Sequence, residues 1–366
     1  MLDIAVRRRA PETAPARWWV RPAGLWAIWR ALSFAAFVAV GGKPIVGAAR
    51  WDDGYYLTIV RQGYRPHPSY GPYQQTNFFP LMSWTTRAVQ YVVRSETIAV
   101  HLVVSAASLS AVLLLYAITR RQRDEATALL AVALLLAVPG SIFLWLFFSE
   151  GMFIALSAGA LLAAESGRHR LAAVLGIGVA MTRSVGVLIV VPLLLARAQR
   201  RRLDRTAWPA LLPIVGLFVV MVAQWWQAGD PFAFQKTSAL WGRHTTLPIS
   251  PLVDRLQEIL VLRNFNAVTF TDFACVVIVL WLAAYSLRSN LSWCLRAWLI
   301  VMALVPLTSG LTHSWSRYML AAWPAAILAA DRLRHRPRST VVAVFFALAF
   351  LNVQIVAAWH GGLIIG

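Results

Sequence analysis

Apolar runs of roughly 20 residues alternate along this chain with short basic clusters, and that pattern predicts membrane-crossing helices joined by cytoplasmic loops. The clusters are Arg7–Arg9, Arg120–Arg123, Arg168–Arg170, Arg197–Arg205, Arg288–Arg296 and Arg332–Arg338. Placing all of them in the cytoplasm satisfies the excess of arginine and lysine that cytoplasmic loops carry. A first helix is then expected over Gly24–Val40, running outward, followed by a long outer segment over Gly41–Glu96 rich in Tyr, Pro, Gln and Asn. Thr97–Thr119 returns. Ala126–Ala164 is long enough for two spans, broken at Pro139-Gly140-Ser141. Leu171–Ala196 is too short for two full spans, and Thr182-Arg183-Ser184 lies at its middle. It reads as two half-helices meeting inside the membrane, an arrangement tolerated only against protein or a wet cavity. Ala207–Gln227 goes out, Ala228–Thr269 forms a second, partly amphipathic outer loop, and Phe270–Leu287 returns. Ala297–Leu307 and Tyr318–Ala330 are short and flank Thr308–Arg317; a last helix over Val341–Ala358 ends outside. The sum is an all-α, polytopic protein of about ten spans. No repeat of solenoid type is visible.

Composition agrees with lipid as the solvent. Of 366 residues, 59% are hydrophobic and only 13% charged, about half the charged share of a soluble domain. The net charge of +19 would point to nucleic acid in a soluble chain. Here the charge sits between apolar runs, so no nucleic-acid partner is expected. Lys43 and Lys236 are the only lysines, an arginine bias familiar from GC-rich bacterial genomes. The cysteines Cys275 and Cys294 lie in or near apolar runs, with no metal spacing and no disulfide expected. Met1–Arg21 is basic and contains prolines, and no small-residue cleavage site follows, so the first helix is expected to be uncleaved.

Chemistry gathers in the predicted outer segments. Arg50-Trp51-Asp52-Asp53-Gly54-Tyr55-Tyr56-Leu57 puts two of the 15 acidic residues side by side just after the first helix. If residues 52–63 are helical, Tyr56, Ile59, Val60 and Gly63 share a face, and such a helix would lie on the membrane surface. Asp52 and Asp53 would stand at its N-terminus, where the macrodipole favours carboxylates; helix capping accounts for the same pattern. Gln74-Gln75-Thr76-Asn77-Phe78-Phe79-Pro80-Leu81 fits either an interfacial loop anchored by aromatics or a substrate groove with amides for sugar hydroxyls. Glu150 stands at an outer turn between apolar helices, either facing water or held for function. Arg183, at membrane depth, needs a carboxylate partner, for which Glu150 or Asp52 would serve, or cavity water or an anionic ligand. His313 and Arg317 are four apart and could share a helix face. Arg317 could grip a phosphate or simply snorkel to the interface.

These motifs together resemble the PIG-V family, which holds the second mannosyltransferase of GPI-anchor synthesis and bacterial relatives. The resemblance runs through Arg50-Trp51-Asp52, Gln62-Gly63-Tyr64, Asn77-Phe78-Phe79-Pro80, Pro139-Gly140-Ser141-Ile142-Phe143, Phe148-Ser149-Glu150, Thr182-Arg183-Ser184-Val185-Gly186 and, more weakly, Arg317-Tyr318-Met319-Leu320 to Pro324. It implies a single GT-C-type transmembrane domain over residues 1–366, in a multi-pass protein of the cell membrane with its active site on the extracytoplasmic face. It further implies a polyprenyl-phosphate mannose donor and a catalytic acid in the first outer loop, which maps onto Asp52. The family often has another residue where Asp53 stands, and Asn commonly follows the Arg-Ser of the hairpin where this chain has Val185.

The expected reaction is an inverting sugar transfer to a lipid-linked or glycolipid acceptor. Asp52 would take the proton of the acceptor hydroxyl, with Asp53 orienting it or the acceptor. Arg183 and Arg317, helped by His313, would hold the donor phosphate and stabilise it as it leaves. Trp51, Tyr55, Asn77, Phe78 and Glu150 complete the expected substrate contacts. A single phosphate makes metal non-obligatory, two adjacent aspartates are a poor magnesium site, and no cofactor is expected. Two other classes fit parts of the pattern: a lipid or sugar-lipid transporter, which would explain the broken hairpin, and a non-catalytic assembly subunit.

Overall fold

The computed structural model of the chain describes residues 17–39, 52–65, 74–199, 205–261 and 266–360, and every regular element among them is helical. The first helix, α1, spans Val20–Ala39. It begins about a turn earlier than the apolar run because Pro22 is tolerated in a first turn, where its missing N–H has no partner to lose. After it come α2 (Asp52–Gln62), α3 (Leu81–Val93) and α4 (Glu96–Gln122). Ser95 caps α4 by accepting from the Ile98 N–H at 3.3 Å, and Asp124 caps α5 (Glu125–Ala137) by accepting from the Thr127 N–H at 2.9 Å. Such caps satisfy donors that the first helical turn leaves open.

Both predicted breaks are present. Pro139 ends α5, and a short 3₁₀ turn over Pro139–Leu144 leads to α6 (Glu150–Glu165). The α7 helix (His169–Thr182) stops at Arg183, whose backbone is extended at φ −154° and ψ 148°. A 3₁₀ turn over Ser184–Ile189 then leads into α8 (Val190–Ala198). The second long loop lies between α9 (Pro213–Ala228) and α12 (Ala267–Ser286) and contains α10 (Ala233–Leu240) and α11 (Ser250–Leu260). The chain closes with α13 (Trp293–Leu304), a one-turn α14 (Trp315–Tyr318), α15 (Pro324–Leu333) and α16 (Arg338–His360).

Among the described residues, five helices are long and apolar enough to cross a membrane, and shorter apolar helices pack between them. In lipid, burial of apolar surface does not drive helices together, so close packing of small residues must. Accordingly α4 packs on α6, and α6 on α7. Their buried positions include Ala107, Ser108 and Ala111 on α4, Ala158, Gly159 and Ala160 on α6, and Ala172, Ala173 and Gly176 on α7. By contrast α1 and α16 lie at the periphery and expose Ile28, Leu32, Phe34, Phe346 and Phe350.

Helix direction gives the bundle two unlike ends. At one, the basic clusters meet: Arg121 donates to Ser166 at 2.7 Å, Arg123 pairs with Asp331 at 2.9 Å, and Arg334 pairs with Asp124. The other end gathers the N-termini of α2 and α6, the C-terminus of α7, and α14. The α2 helix forms where expected, but protein encloses it: Asp53–Val60 are buried without interruption, on every side rather than on one face. It packs on α3 and on the 3₁₀ turn Gln74–Asn77.

Candidate active site

Four charged residues from four parts of the chain meet at that second end. Asp52 opens α2 and Glu150 opens α6, so both carboxylates sit at helix N-termini, where aligned backbone dipoles favour negative charge. Arg183 occupies the break after α7, and Arg317 lies in α14. Arg317 pairs through Nη1 with Asp52 Oδ2 and through Nε with Glu150 Oε1. Arg183 pairs through Nη1 with the same Glu150 oxygen. The result is one ladder, Asp52–Arg317–Glu150–Arg183, with two charges of each sign. Among the described residues Glu150 Oε2 meets no donor.

The ladder is buried in its middle and open at its ends. The side chains of Glu150 and Arg317 are 2% and 8% exposed, those of Asp52 and Arg183 15% and 13%. Asp53 is fully buried, so Asp52 is the accessible carboxylate of the pair. Rings complete the walls. The Arg317 guanidinium lies over Phe148 at 4.7 Å and Phe143 at 5.6 Å. Tyr318 carries Arg183 over its ring at 5.4 Å and Arg243 at 5.7 Å, and Arg243 also donates to its hydroxyl. Cation–ring contacts of this kind gain strength when desolvated.

Electrostatics follow from these neighbours. Burial alone would lower the pKa of Arg317, but Glu150 and Asp52 raise it well above the usual arginine value, so it stays charged. Burial alone would raise Tyr318, yet Arg243, Arg183 and Arg317 bring it below the ordinary tyrosine range. Tyr56 lies on α2, donates to Ser149 Oγ at 2.9 Å, and is pushed up by burial to about 12. It is therefore a neutral donor at any working pH.

The other expected site residues fall around the ladder. Trp51 lies outside the described residues. Tyr55 stacks on Phe78 with centroids 4.9 Å apart and donates to Gln74; Trp241 meets both rings edge-on. Asn77 accepts from Ser238 Oγ at 2.7 Å, which ties the first loop to α10. The Thr76–Thr237 bond at 2.7 Å does the same, and Gln224 Nε2, donating to the Thr76 carbonyl at 2.7 Å, ties the loop to α9. His313 points elsewhere: its Nδ1 lies 3.1 Å from Arg255 Nη2. Arginine can only donate, so that nitrogen accepts and carries no proton. Burial first, and Arg255 second, lower the His313 pKa, so the ring is a neutral acceptor and not a third cation of the ladder. Arg243 and Asp272 do not stand among the expected site residues, and Tyr318 enters only as part of the Arg317-Tyr318-Met319-Leu320 motif. Asp272 carried a legible signal, as an acid within the apolar run Phe270–Leu287, whereas Arg243 carried none. Among the described residues no three His, Cys, Asp or Glu side chains converge as a metal site.

Comparison with known proteins agrees on the fold. Residues 71–226 match the family model described as dolichyl-phosphate-mannose-protein mannosyltransferase. A search of the curated proteins finds no match. Among solved structures, ArnT from Cupriavidus metallidurans bound to undecaprenyl phosphate superposes with a TM-score of 0.53 at 16% identity, over 95% of this chain and 76% of that one. The chain has the GT-C fold. The archaeal oligosaccharyltransferase AglB from Archaeoglobus fulgidus, in complex with an inhibitory peptide and a dolichol-phosphate, gives 0.45 at 14% identity. This chain is 94% covered in that match but spans only 56% of AglB.

Proposed function

We propose that the protein is a GT-C glycosyltransferase that moves a mannosyl or other hexosyl unit from a polyprenyl-phosphate donor to a lipid-linked or glycolipid acceptor, with inversion. The observation that carries this reading is the ladder itself. Asp52, Glu150, Arg183 and Arg317 are distant in sequence, and their pairing joins a carboxylate open at one end to a guanidinium open at the other. The resemblance of the surrounding motifs to the PIG-V family supports mannose. The matched family model and the lipid phosphate bound by ArnT support a polyprenyl-phosphate donor.

In the reaction, the acceptor hydroxyl oxygen forms a bond to the anomeric carbon as the bond from that carbon to the phosphate oxygen breaks. Asp52 Oδ2 is engaged by Arg317, so Oδ1 takes the hydroxyl proton. The departing phosphate keeps the bonding pair and gains charge, which Arg183 and Arg317 stabilise. Fixed cations in a dry site need no reorganisation as that charge develops. Glu150 holds both guanidiniums at one spacing, and Phe143 and Phe148 keep water from the Arg317 side. Tyr55 and Phe78, stacked on each other and buried, back the Asp52 end, and the half-buried Trp241 beside them offers a ring to a sugar or lipid. The basic clusters at the far end of the bundle support an extracytoplasmic orientation for the site.

The test is transfer from radiolabelled polyprenyl-phosphate mannose into lipid, using membranes that contain wild type or Asp52→Asn protein at matched expression. Asp52→Asn is expected to lower transfer by on the order of 10²–10⁴-fold. Undiminished transfer would remove Asp52 as the base, and a wild type that moves no sugar into several acceptor lipids would sink the transferase reading.

A further inference from the structure

Arg317 owes its place to a loop, and the loop is held by a residue with no part in the ladder. Asp272 is the sixth residue of α12 and is buried. An acid inside an apolar span is costly and needs a reason. Among the described residues no cation forms an ion pair with its oxygens. Oδ2 accepts the Ser314 N–H at 2.7 Å and Oδ1 the Ser316 N–H at 2.8 Å. Ser314 has a left-handed backbone, φ 64° and ψ 22°, which L-residues avoid unless their surroundings impose it. Backbone N–H groups brought together by left- and right-handed residues in succession form a concave anion site, and here the chain's own carboxylate fills it. The opposite side of the loop is blocked as well, since a Cβ on Gly140 would overlap the Ser316 carbonyl oxygen. Immediately after this clamp, the N–H groups of Arg317 and Tyr318 both turn back to the Ser314 carbonyl at 2.9 Å. That single turn aims Arg317 between Asp52 and Glu150.

We infer that Asp272 is a positioning residue for Arg317: it fixes the 314–316 backbone, and through it the guanidinium that the transfer reaction uses. The kinetic consequence rests on the transferase reading; the geometric one does not. A loosened clamp lets Arg317 swing out of register with both carboxylates, and a displacement of about 1 Å at such a group costs on the order of 10²-fold in rate.

Asp272→Asn tests this. It preserves size but leaves one acceptor oxygen for two N–H donors. The first readout is independent of activity: phenylglyoxal labelling of arginines in nanodiscs, mapped by mass spectrometry. Arg317 labelling should rise severalfold. Arg296, buried at the basic end with its guanidinium on the Ser289 and Leu291 carbonyls, should stay at its wild-type rate. Unchanged labelling at Arg317 overturns the inference, and so does a parallel rise at Arg296, which would mean general loosening. The second readout is a double-mutant cycle on sugar transfer. Asp272→Asn should cost ~10²-fold in the wild type and nothing further in an Arg317→Lys background. An equal loss in both backgrounds would make Asp272 independent of Arg317 and defeat the inference. A wild type without transfer would remove the transferase reading alone, and the labelling would still decide the role of Asp272.

Discussion

Arg334–Asp124 and Arg123–Asp331 at the basic end are guanidinium–carboxylate pairs like Arg317–Glu150 and Arg317–Asp52 at the other, and they differ in what surrounds them. The basic-end pairs are the more exposed, although Arg123, 14% exposed beside Asp331 at 29%, is partly enclosed. Arg334 and Asp124 are 31% and 32% exposed, and Arg21–Glu125 nearby is more open still. Water and salt screen such contacts, which contribute little. The ladder is enclosed by rings and backbone, where desolvating each ion is costly and its partner must repay the cost. Exposed pairs are tolerated wherever opposite charges meet. A buried chain of four is not assembled cheaply, and its place at one end of the bundle is why the proposed function puts the reaction there.

The sharpest way to break this contrast is Glu150→Gln. It keeps the shape and removes the charge that both arginines share. We expect a loss of about 3–5 kcal/mol, as for one partner taken from a buried pair, read by chemical unfolding in detergent, together with loss of sugar transfer. A cost no larger than that of a surface pair would put the two ends on the same footing. Tyr56→Phe comes next. It removes the donor to Ser149 Oγ and should cost about 1 kcal/mol. Because burial keeps Tyr56 neutral, the cost should be the same at every pH from acid to mildly alkaline; a cost that grows with pH would mean the phenol ionises. The smallest effect belongs to Arg334→Ala, expected at no more than about 1 kcal/mol and fading as salt is added.

The same end provides a pH test. Burial acts to raise the Asp124 pKa, but the Thr127 N–H and hydroxyl, and then Arg334, bring it below the usual aspartate value. A carboxylate whose folded pKa is depressed adds stability above its unfolded pKa and loses it as the pH falls through the folded one. Wild type should therefore melt above Asp124→Asn at neutral pH, and the gap should close on acidification. A gap that stays constant down to acid pH would assign the effect to packing alone.

Local features were legible in the sequence to the extent that local physics controls them. Pro139 and the Thr182-Arg183-Ser184 interruption announced both breaks, because proline cannot continue a helix and a charge within an apolar run needs protein or water around it. Glu150 and Arg183 stood out on the second ground, Asp52 as one of two adjacent acids just after the first helix, and Arg317 as a candidate phosphate grip beside His313. The Arg183–Glu150 pair was among the partners the sequence offered, but the Asp52–Arg317 pair was not legible, since the two are 265 positions apart and apolar periodicity says nothing about which loop ends converge. The four-residue spacing of His313 and Arg317 was misleading. Helical spacing brings side chains together only inside a helix, and α14 begins after His313, at Trp315. The one-sided burial expected for α2 failed likewise, because loops that fold over a helix bury it without regard to its own pattern.

Gly140 and Ser316 meet backbone to backbone, with no side chain of residue 140 between them. Most distances in a protein interior are set by side chains and can be retuned by swapping one for another. This one is set by the thickness of two peptide groups and a hydrogen atom. It works as a fixed datum between the part of the chain that carries Glu150 and the part that carries Arg317. Variation in what the site accepts then has to come from its lining, Phe143, Phe148, Tyr318 and the rings near Tyr55, while the spacing of the charges stays constant.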